Sequence, residues 1–428
     1  MRDGEFRFAF CSSAREAKAD CRFATTDSAF NSSMLRIGYV FERFPSFGQT
    51  FCYREVVELQ RQGAEVSVFS IRTPAGEPRQ DWDEQVVRNV HYLPDEAKLV
   101  NEVNHAIRQR ELPAEAASAI GEWGRQSDFL RLYQAAYVGS RLREAGTTRV
   151  HAHFAGMAAR TTYWIKQFFG IDYSLTAHAN DIFAPRDFVV SLSKIVDSAA
   201  AVVTVSDFAA SRLKEQFPEN AAKIHRVYNG VDFGAVEPAQ FSADPPLIVS
   251  VGRLIKKKGF GDLISACALL KSYGLRLRCE IIGEGPLEAA LSAQIRDSQL
   301  TDSIRLLGAR TQGEIAQRFR AATMFVLACT TEADGGMDNL PTVIIEAMAA
   351  GLPVISTPLA GVPEMVEHGA SGKLVPQRNP VALASAIEWL LADPGAAARL
   401  GARGREVAAQ KFSIEANVRR LAQVLDGC

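Results

Sequence analysis

The chain is predicted to be an α/β protein with parallel sheets, arranged as two Rossmann-like halves with a cleft between them. Three observations lead there. Strand-like and helix-like runs alternate from residue 35 to the end of the chain. A length of 428 residues suits two or three domains. In the second half, glycines follow strand-like runs directly, at Gly252 and at Gly283 and Gly285. That is where such a fold binds ligands, beyond the carboxyl ends of its strands.

The elements follow in order. Residues 36–41 read as a strand and 49–62 as a helix with Phe51, Val56 and Leu59 on one side. A strand at 64–71 leads into 73–90, where Pro74, Gly76 and Pro78 predict an irregular loop. Residues 95–145 read as helical, with a break at Leu112 and Pro113. Strands are expected at 149–154, 173–176 and 201–205, and a turn at 228–232 closes this half. Prolines 238, 245 and 246 mark 234–246 as a linker. The second half carries strand-like runs at 247–251, 278–282, 304–307, 324–327, 354–356 and 373–375, with helices between them. A last helix over 414–425 follows a turn at 411–413.

Composition narrows the function. A hydrophobic share of 47% with 23% charged residues is that of a globular domain, and a net charge of -1 supplies no drive toward nucleic acid or anionic lipid. No apolar run reaches the ~18 residues of a membrane span. Seven scattered cysteines without a C-x-x-C pair argue against a disulfide framework or zinc ribbon and suit a reducing, cytoplasmic setting. Residues 1–33 mix Arg, Asp, Ser and Ala without period and lack a signal-peptide core; they are expected to be disordered, or to reflect a mis-assigned start upstream of Met34.

The segment 338–357, DNLPTVIIEAMAAGLPVIST, is the most informative. Pro341 suits a helix start, Thr342 opens a short apolar helix, and Gly351 and Pro353 stop it before a strand. Asp338 then lies in the loop before the helix and Glu346 about one turn inside it. The free amides between them form an anion site. Carboxylates accept from hydroxyls and amides donate to phosphate, so the arrangement suits a ligand that is part sugar and part pyrophosphate. Taken alone, the same pair is also a loop aspartate and a glutamate favoured by the helix dipole.

This segment resembles the E-x7-E signature of retaining glycosyltransferases of family 4, with Asp338 in place of the first Glu. Within that family the chain is most similar to the colanic-acid and amylovoran type, and the resemblance runs from about Leu35 to Leu425. It implies the GT-B fold, with the two Rossmann-like domains facing across a cleft and the C-terminal helix crossing back to the N-terminal domain. The domains are expected at 34–240 (acceptor), 241–410 (donor nucleotide) and 411–428 (the returning helix). The resemblance assigns Asp338 to the donor-sugar hydroxyls and Glu346 to the ribose. Pro341 and Thr342 begin the helix whose amides meet the diphosphate.

Other segments match in order. Gly252 to Gly259, GRLIKKKG, places cations after a strand-end glycine; the family's diphosphate-binding residues fall on Arg253 and Lys258, while Lys256 and Lys257 read as solvent-facing. Gly283, Glu284, Gly285 and Pro286 resemble the family's turn at the nucleoside. His178, in TAHAND, resembles the histidine that reaches the donor sugar from the first domain; neutral it would bond a hydroxyl, protonated it would stabilise the leaving charge. The loop FPSFGQTF, residues 44–51, resembles a family loop near the phosphates and contains Gly48 where that loop has Ser.

His151 and His153 would share a strand face, but no third ligand stands at zinc spacing, so they read as a structural strand edge and no metal is expected. Residues 158–171 read as a core helix or, with Arg160, Lys166, Trp164, Phe168 and Phe169, as a membrane-surface helix.

The expected activity is retaining transfer of a sugar from a nucleoside diphosphate sugar, with no further cofactor, to a hydroxyl of an exopolysaccharide or polyprenyl-linked oligosaccharide. The site would be cytoplasmic, with peripheral contact to the inner membrane face and no nucleic-acid partner. A non-catalytic nucleotide-sugar-binding scaffold and a nucleotide-sugar 2-epimerase are the alternatives.

Overall fold

A computed structural model describes residues 35–427 apart from Arg125, Pro185, Arg186 and Ser242. The expectation for residues 1–33 therefore lies outside the described residues. The first half contains β1 (Arg36–Arg43), α1 (Thr50–Arg61), β2 (Glu65–Arg72), α2 (Glu84–Arg88), β3 (His91–Tyr92), α3 (Glu96–Gln109), α4 (Ala114–Trp123) and α5 (Phe129–Glu144). It continues through β4 (Arg149–His153), α6 (Met157–Phe169), β5 (Asp172–Ala177), α7 (Ala179–Phe183), α8 (Leu192–Ser198), β6 (Ala201–Thr204), α9 (Asp207–Gln216) and β7 (Ile224–Arg226). The second half runs β8 (Leu247–Val251), α10 (Phe260–Ser272), β9 (Arg278–Ile282), α11 (Glu288–Asp297), β10 (Ile304–Leu306), α12 (Gln312–Ala321) and β11 (Met324–Leu327). It closes with α13 (Thr342–Ala349), β12 (Val354–Ser356), α14 (Val362–Met365), β13 (Lys373–Leu374), α15 (Pro380–Ala392), α16 (Pro394–Lys411) and α17 (Ile414–Asp426).

The strands form two wholly parallel sheets, ordered β3-β2-β1-β4-β5-β6-β7 and β10-β9-β8-β11-β12-β13. In each, the order reverses beside the first strand, between β1 and β4 and between β8 and β11, and the crevice at such a reversal is where α/β sheets bind ligands. Helices cover both faces, so strands such as β8 (LIVSV) are buried at every position.

β1 shows how its sequence is divided between two layers. Val40 belongs to the cluster that packs α5 and α6, while Ile37, Tyr39 and Phe41 face α1 and α17. That second layer is completed from the far end of the chain. Ile414, Val418, Leu421 and Leu425 recur at helical spacing and are buried against Val56 and Leu59 of α1. Ser413 caps α17 by accepting from the Ala416 amide, and Val231 N–H bonds the Phe412 carbonyl at 2.9 Å. A side chain at Gly230 would strike the Ile414 backbone, so that glycine lets the crossing strands of chain touch.

Several local expectations change. The stretch 73–90 is not wholly irregular: the Asp83 side chain accepts from Gln85 N–H at 2.7 Å and starts α2. β3 and β7 are edge strands of two and three residues, too short for a periodic signal. The 234–246 segment is strapped to the second half, with Ala239 N–H on the Ala350 carbonyl and Gln240 N–H on the Arg320 carbonyl, each at 2.8 Å. α6 packs as a core helix: Ala158, Ala159, Arg160, Thr161, Thr162, Ile165 and Phe168 are buried, and Lys166 reaches Asp172 and the Ser198 carbonyl. Among the described residues no single helix is long and apolar enough to cross a membrane; α15 and α16 pass that test only as a pair bent by 104°.

Candidate active site

The donor-side residues converge at the ends of β8, β9 and β11. After β8 the chain turns through Gly252 to a short helical turn, Lys256–Lys258, and Gly259, whose φ of 68° and close approach to the Ala328 carbonyl admit no side chain. This turn aims Lys258 inward. Its Nζ lies 2.6 Å from Asp338 Oδ2, and Lys257 Nζ lies 3.4 Å from Asp338 Oδ1. The solvent-facing expectation for Lys257 is thus corrected. It is only 6% exposed, because its carbonyl accepts from the Thr330 amide and its ammonium reaches back across the cleft to Asn180 Oδ1 at 3.2 Å. Lys256 is exposed as the pattern suggests, and Arg253, expected at the diphosphate, is exposed as well.

Charge settles the ionisation of this group. Burial alone would raise the Asp338 pKa, but Lys258 and then Lys257 outweigh it and hold the carboxyl below the usual aspartate range. Burial likewise opposes the Lys258 charge, and Asp338 restores it with a net rise. The Cys329 thiol, 3.6 Å from Asp338 Oδ2, is pushed far up by burial and stays neutral. Asp338 and Lys258 therefore form one buried, ionised pair, where the sequence pattern assigns them separately to sugar and diphosphate.

Pro341 precedes α13, and its carbonyl accepts from the Ile344 amide. Thr342 is the first helical residue, partly open to solvent. Glu346 is buried one turn further in, and its Oε1 accepts from Arg54 Nη1 of α1 at 2.8 Å. The same guanidinium bonds Gln312 at the start of α12. Beside it, Gln80 and Asp81 of the first half accept from the Gln312 and Gly313 amides at 2.7 and 3.1 Å. Gly283, with φ 138°, abuts the Gly252 carbonyl, and Gly285 abuts Leu254, so neither has room for a side chain. Glu284 is exposed between them; its carbonyl takes the Leu254 amide.

From the first half, His178 follows β5 directly, and Asp181 Oδ2 accepts from the His178 amide at 2.9 Å. The ring is buried and turned inward: Nε2 lies 3.1 Å from His153 Nδ1. His153 Nε2 in turn lies 2.9 Å from Glu55 Oε1, which also accepts from the Tyr39 hydroxyl at 2.9 Å. Burial works against a charged His153, while Cys52 and Glu55 beside it work for it. The net direction is up, to about 10, which favours a protonated His153. Burial and then the His153 charge hold His178 well below the ordinary histidine range. His178 is therefore a neutral imidazole in this arrangement.

His151 and His153 do not form a strand edge, because β4 sits in the middle of the seven-strand sheet. Folding brings Glu55 to them, so the three ligand atoms lie within 4.8 Å of one another, the third group that sequence spacing lacked. Hydrogen bonds already engage these atoms: His151 Nδ1 and Nε2 lie 2.8 and 2.9 Å from the Ser174 and Thr176 hydroxyls. Gly48 is exposed on its loop. Glu77 clamps that loop, accepting from Phe47 N–H at 2.6 Å and Ser46 Oγ at 3.2 Å. Sequence reasoning missed Arg54, Glu55, Glu77, Asn180 and Lys257. Only Lys257, adjacent to Lys258, and Asn180, inside TAHAND, left any local signal.

Comparison with known proteins shows the family and the fold. "Glycosyltransferase Family 4" matches residues 48–234 and "Glycosyl transferases group 1" matches residues 236–407. The amylovoran biosynthesis glycosyltransferase AmsK of Erwinia amylovora is 28% identical over 423 residues, covering 92% of this chain and 99% of AmsK. WcaL of Escherichia coli (strain K12), named for colanic acid biosynthesis, is 28% identical over 414 residues, covering 91% of this chain and 99% of its own. In fold, a glycosyltransferase from Rickettsia africae superposes with a TM-score of 0.70 at 16% identity, covering 92% of this chain and 98% of that one. Anabaena Alr3699/HepE in complex with UDP gives a TM-score of 0.69 at 17% identity, with 92% and 100% covered. The chain belongs to the family 4, group 1 glycosyltransferases and has their GT-B fold of two Rossmann-like domains.

Proposed function

We propose that this glycosyltransferase moves a sugar, with retained configuration, from a nucleoside diphosphate sugar to a hydroxyl of an exopolysaccharide or lipid-linked oligosaccharide. One observation carries the reading: a buried Lys258–Asp338–Lys257 cluster on the second half is joined through Asn180 to the segment that bears His178 on the first. Cations for a diphosphate and acceptors for sugar hydroxyls thus share one point of the cleft, while Glu346 stands at the far side of α13 for the ribose.

In this mechanism Arg253, Lys258 and the first amides of α13 meet the charge that develops on the departing diphosphate. Asp338 orients the donor sugar, and the neutral His178, buried with its Nε2 on His153, would have to turn toward the cleft to reach it. No side chain is placed as a covalent nucleophile; the leaving phosphate takes the acceptor proton on the face it departs from. The cations and amides are sufficient for the diphosphate without a resident metal. AmsK and WcaL, named for amylovoran and colanic acid, support the exopolysaccharide class of acceptor. A cytoplasmic site with peripheral contact to the membrane fits a carrier-linked acceptor.

The test is incubation of the full chain with a panel of UDP- and GDP-sugars, with and without an acceptor extract, followed by mass spectrometry. Acceptor-dependent release of nucleoside diphosphate and an added sugar mass is expected. Conversion of the donor to an epimer without acceptor would replace the transferase reading with an epimerase, and binding without turnover would leave a scaffold.

A further inference from the structure

The first half buries two guanidinium groups that the donor site does not use. Arg131, in the first turn of α5, is 6% exposed, and its Nε and Nη1 have no hydrogen-bond partner. Arg160, in the first turn of α6, is 3% exposed. Its Nε lies 3.0 Å from Asp128 Oδ2 without the alignment of a hydrogen bond, and its guanidinium stacks on Phe188 at 3.5 Å. Charges acting on Arg131 come from Arg160, Asp128, Arg72 and Glu42. Arg72 is committed to Glu42 at 3.1 Å, and Asp128 to Arg160. Three guanidinium groups thus share two carboxylates, and the uncompensated charge rests on Arg131. Burial, and then the Arg160 charge, push its pKa down to about 10.

A buried charge without a partner costs several kcal/mol, so a guanidinium kept in that state is a group awaiting an anion. The position is informative. Glu42 and Arg72 lie at the ends of β1 and β2, Asp128 directly precedes α5, and Arg160 lies in the first turn of the helix that follows β4. All lie at the carboxyl edge of the sheet, the edge from which β5 delivers His178. Two helix N-termini add partial positive charge there. Arg72, half exposed, marks the open side.

We propose that Arg131, with Arg160 and Arg72, forms a subsite for an oxyanion on the acceptor: a carboxylate or a phosphate ester carried near the hydroxyl that receives the sugar. A planar fork of donors suits either group in two-point contact. The inference names the acceptor class of the proposed reaction and rests on that reading.

The experiment uses the full chain saturated with UDP or GDP, whichever binds, so that the donor diphosphate site is filled. Methyl glucuronoside, methyl phosphate and the neutral methyl glucoside are titrated against the native protein, Arg131→Met and Arg131→Lys, with thermal shift and calorimetry as readouts. At least one anion is expected to raise the native Tm where the glucoside does not. Arg131→Met should abolish that shift and Arg131→Lys weaken the binding at least tenfold. Preference for glucuronoside identifies an acidic sugar on the acceptor, and preference for methyl phosphate a phosphate ester. Without ligand, Arg131→Met should melt at or above the native temperature, since an unpaired charge is removed. The proposal is overturned if neither anion outperforms the glucoside, if Arg131→Met responds like the native chain, or if its unliganded Tm falls by several degrees, which would make Arg131 structural. Nucleotide binding should be the same in all three proteins; its absence from the native chain would instead sink the transferase reading.

Discussion

Asp338 does more than the sugar contact proposed for it requires. It neutralises two lysines in a site where side-chain exposure is 14% or less. Asp338→Asn therefore leaves two buried cations facing each other, and breaking such a pair costs about 3–5 kcal/mol. We expect a lower Tm, lower turnover with the true donor, and tighter rather than unchanged binding of the nucleoside diphosphate, whose phosphates replace the lost charge; calorimetry on the variant reads this directly. Because its folded pKa is depressed, the carboxylate contributes stability above the unfolded value of about 3.9 and loses it as pH falls through the lower folded value. The native Tm should drop on that acid branch, and the variant's should drop less. Glu346→Gln puts a donor opposite ribose hydroxyls and should cost roughly 1–3 kcal/mol of nucleotide affinity; equal affinity in both proteins would remove Glu346 from that role. Asp338, Lys258 and Glu346 were legible because their motifs are local and ordered along one half. Lys257, Arg54 and Glu55 were not: their partners stand far off in sequence, and no local period distinguishes a lysine turned inward from one facing water.

The helices and strands were mostly legible because the apolar runs are long and punctuated by Gly and Pro, as in 338–357. β3 and β7 escaped because two or three residues carry no period, and α2 because its start depends on one capping aspartate inside a proline-rich stretch. α17 is the element whose role was visible only through resemblance, since an amphipathic terminal helix does not name the surface it will cover. Leu421, 1% exposed on its buried face, offers the test. Leu421→Ala should cost about 2–5 kcal/mol, read from urea unfolding, with the loss falling on the first half of the chain. A cost below about 0.5 kcal/mol would mean that α17 merely rests on α1.

Across the whole molecule, a set of polar contacts bridges the two halves beside an apolar seam in which Val205, Tyr228 and Val231 join the second half's core. Arg54 to Glu346, Gln80 and Asp81 to the start of α12, and Ser206 Oγ to Asn339 Oδ1 at 2.6 Å bridge the cleft. Glu364 adds the Asp207 and Phe208 amides at 2.8 and 2.9 Å. Contacts of this kind are individually weak and exchangeable. Arg54 occupies the Glu346 carboxylate that the proposed function gives to the ribose, so Arg54→Ala should tighten nucleoside diphosphate binding, by up to about tenfold or 1.4 kcal/mol; weaker binding in that variant would show that Arg54 holds the ligand itself. The returning helix has a different kind of consequence. α1 leaves the ribosome roughly 350 residues before the helix that covers it, a wait of about 20–70 s at ordinary elongation rates. Throughout that interval the nascent first half displays a greasy, unfinished face around Val56 and Leu59, so during synthesis its safety rests with chaperones, and a premature stop codon anywhere before Ile414 yields a product marked for aggregation or proteolysis.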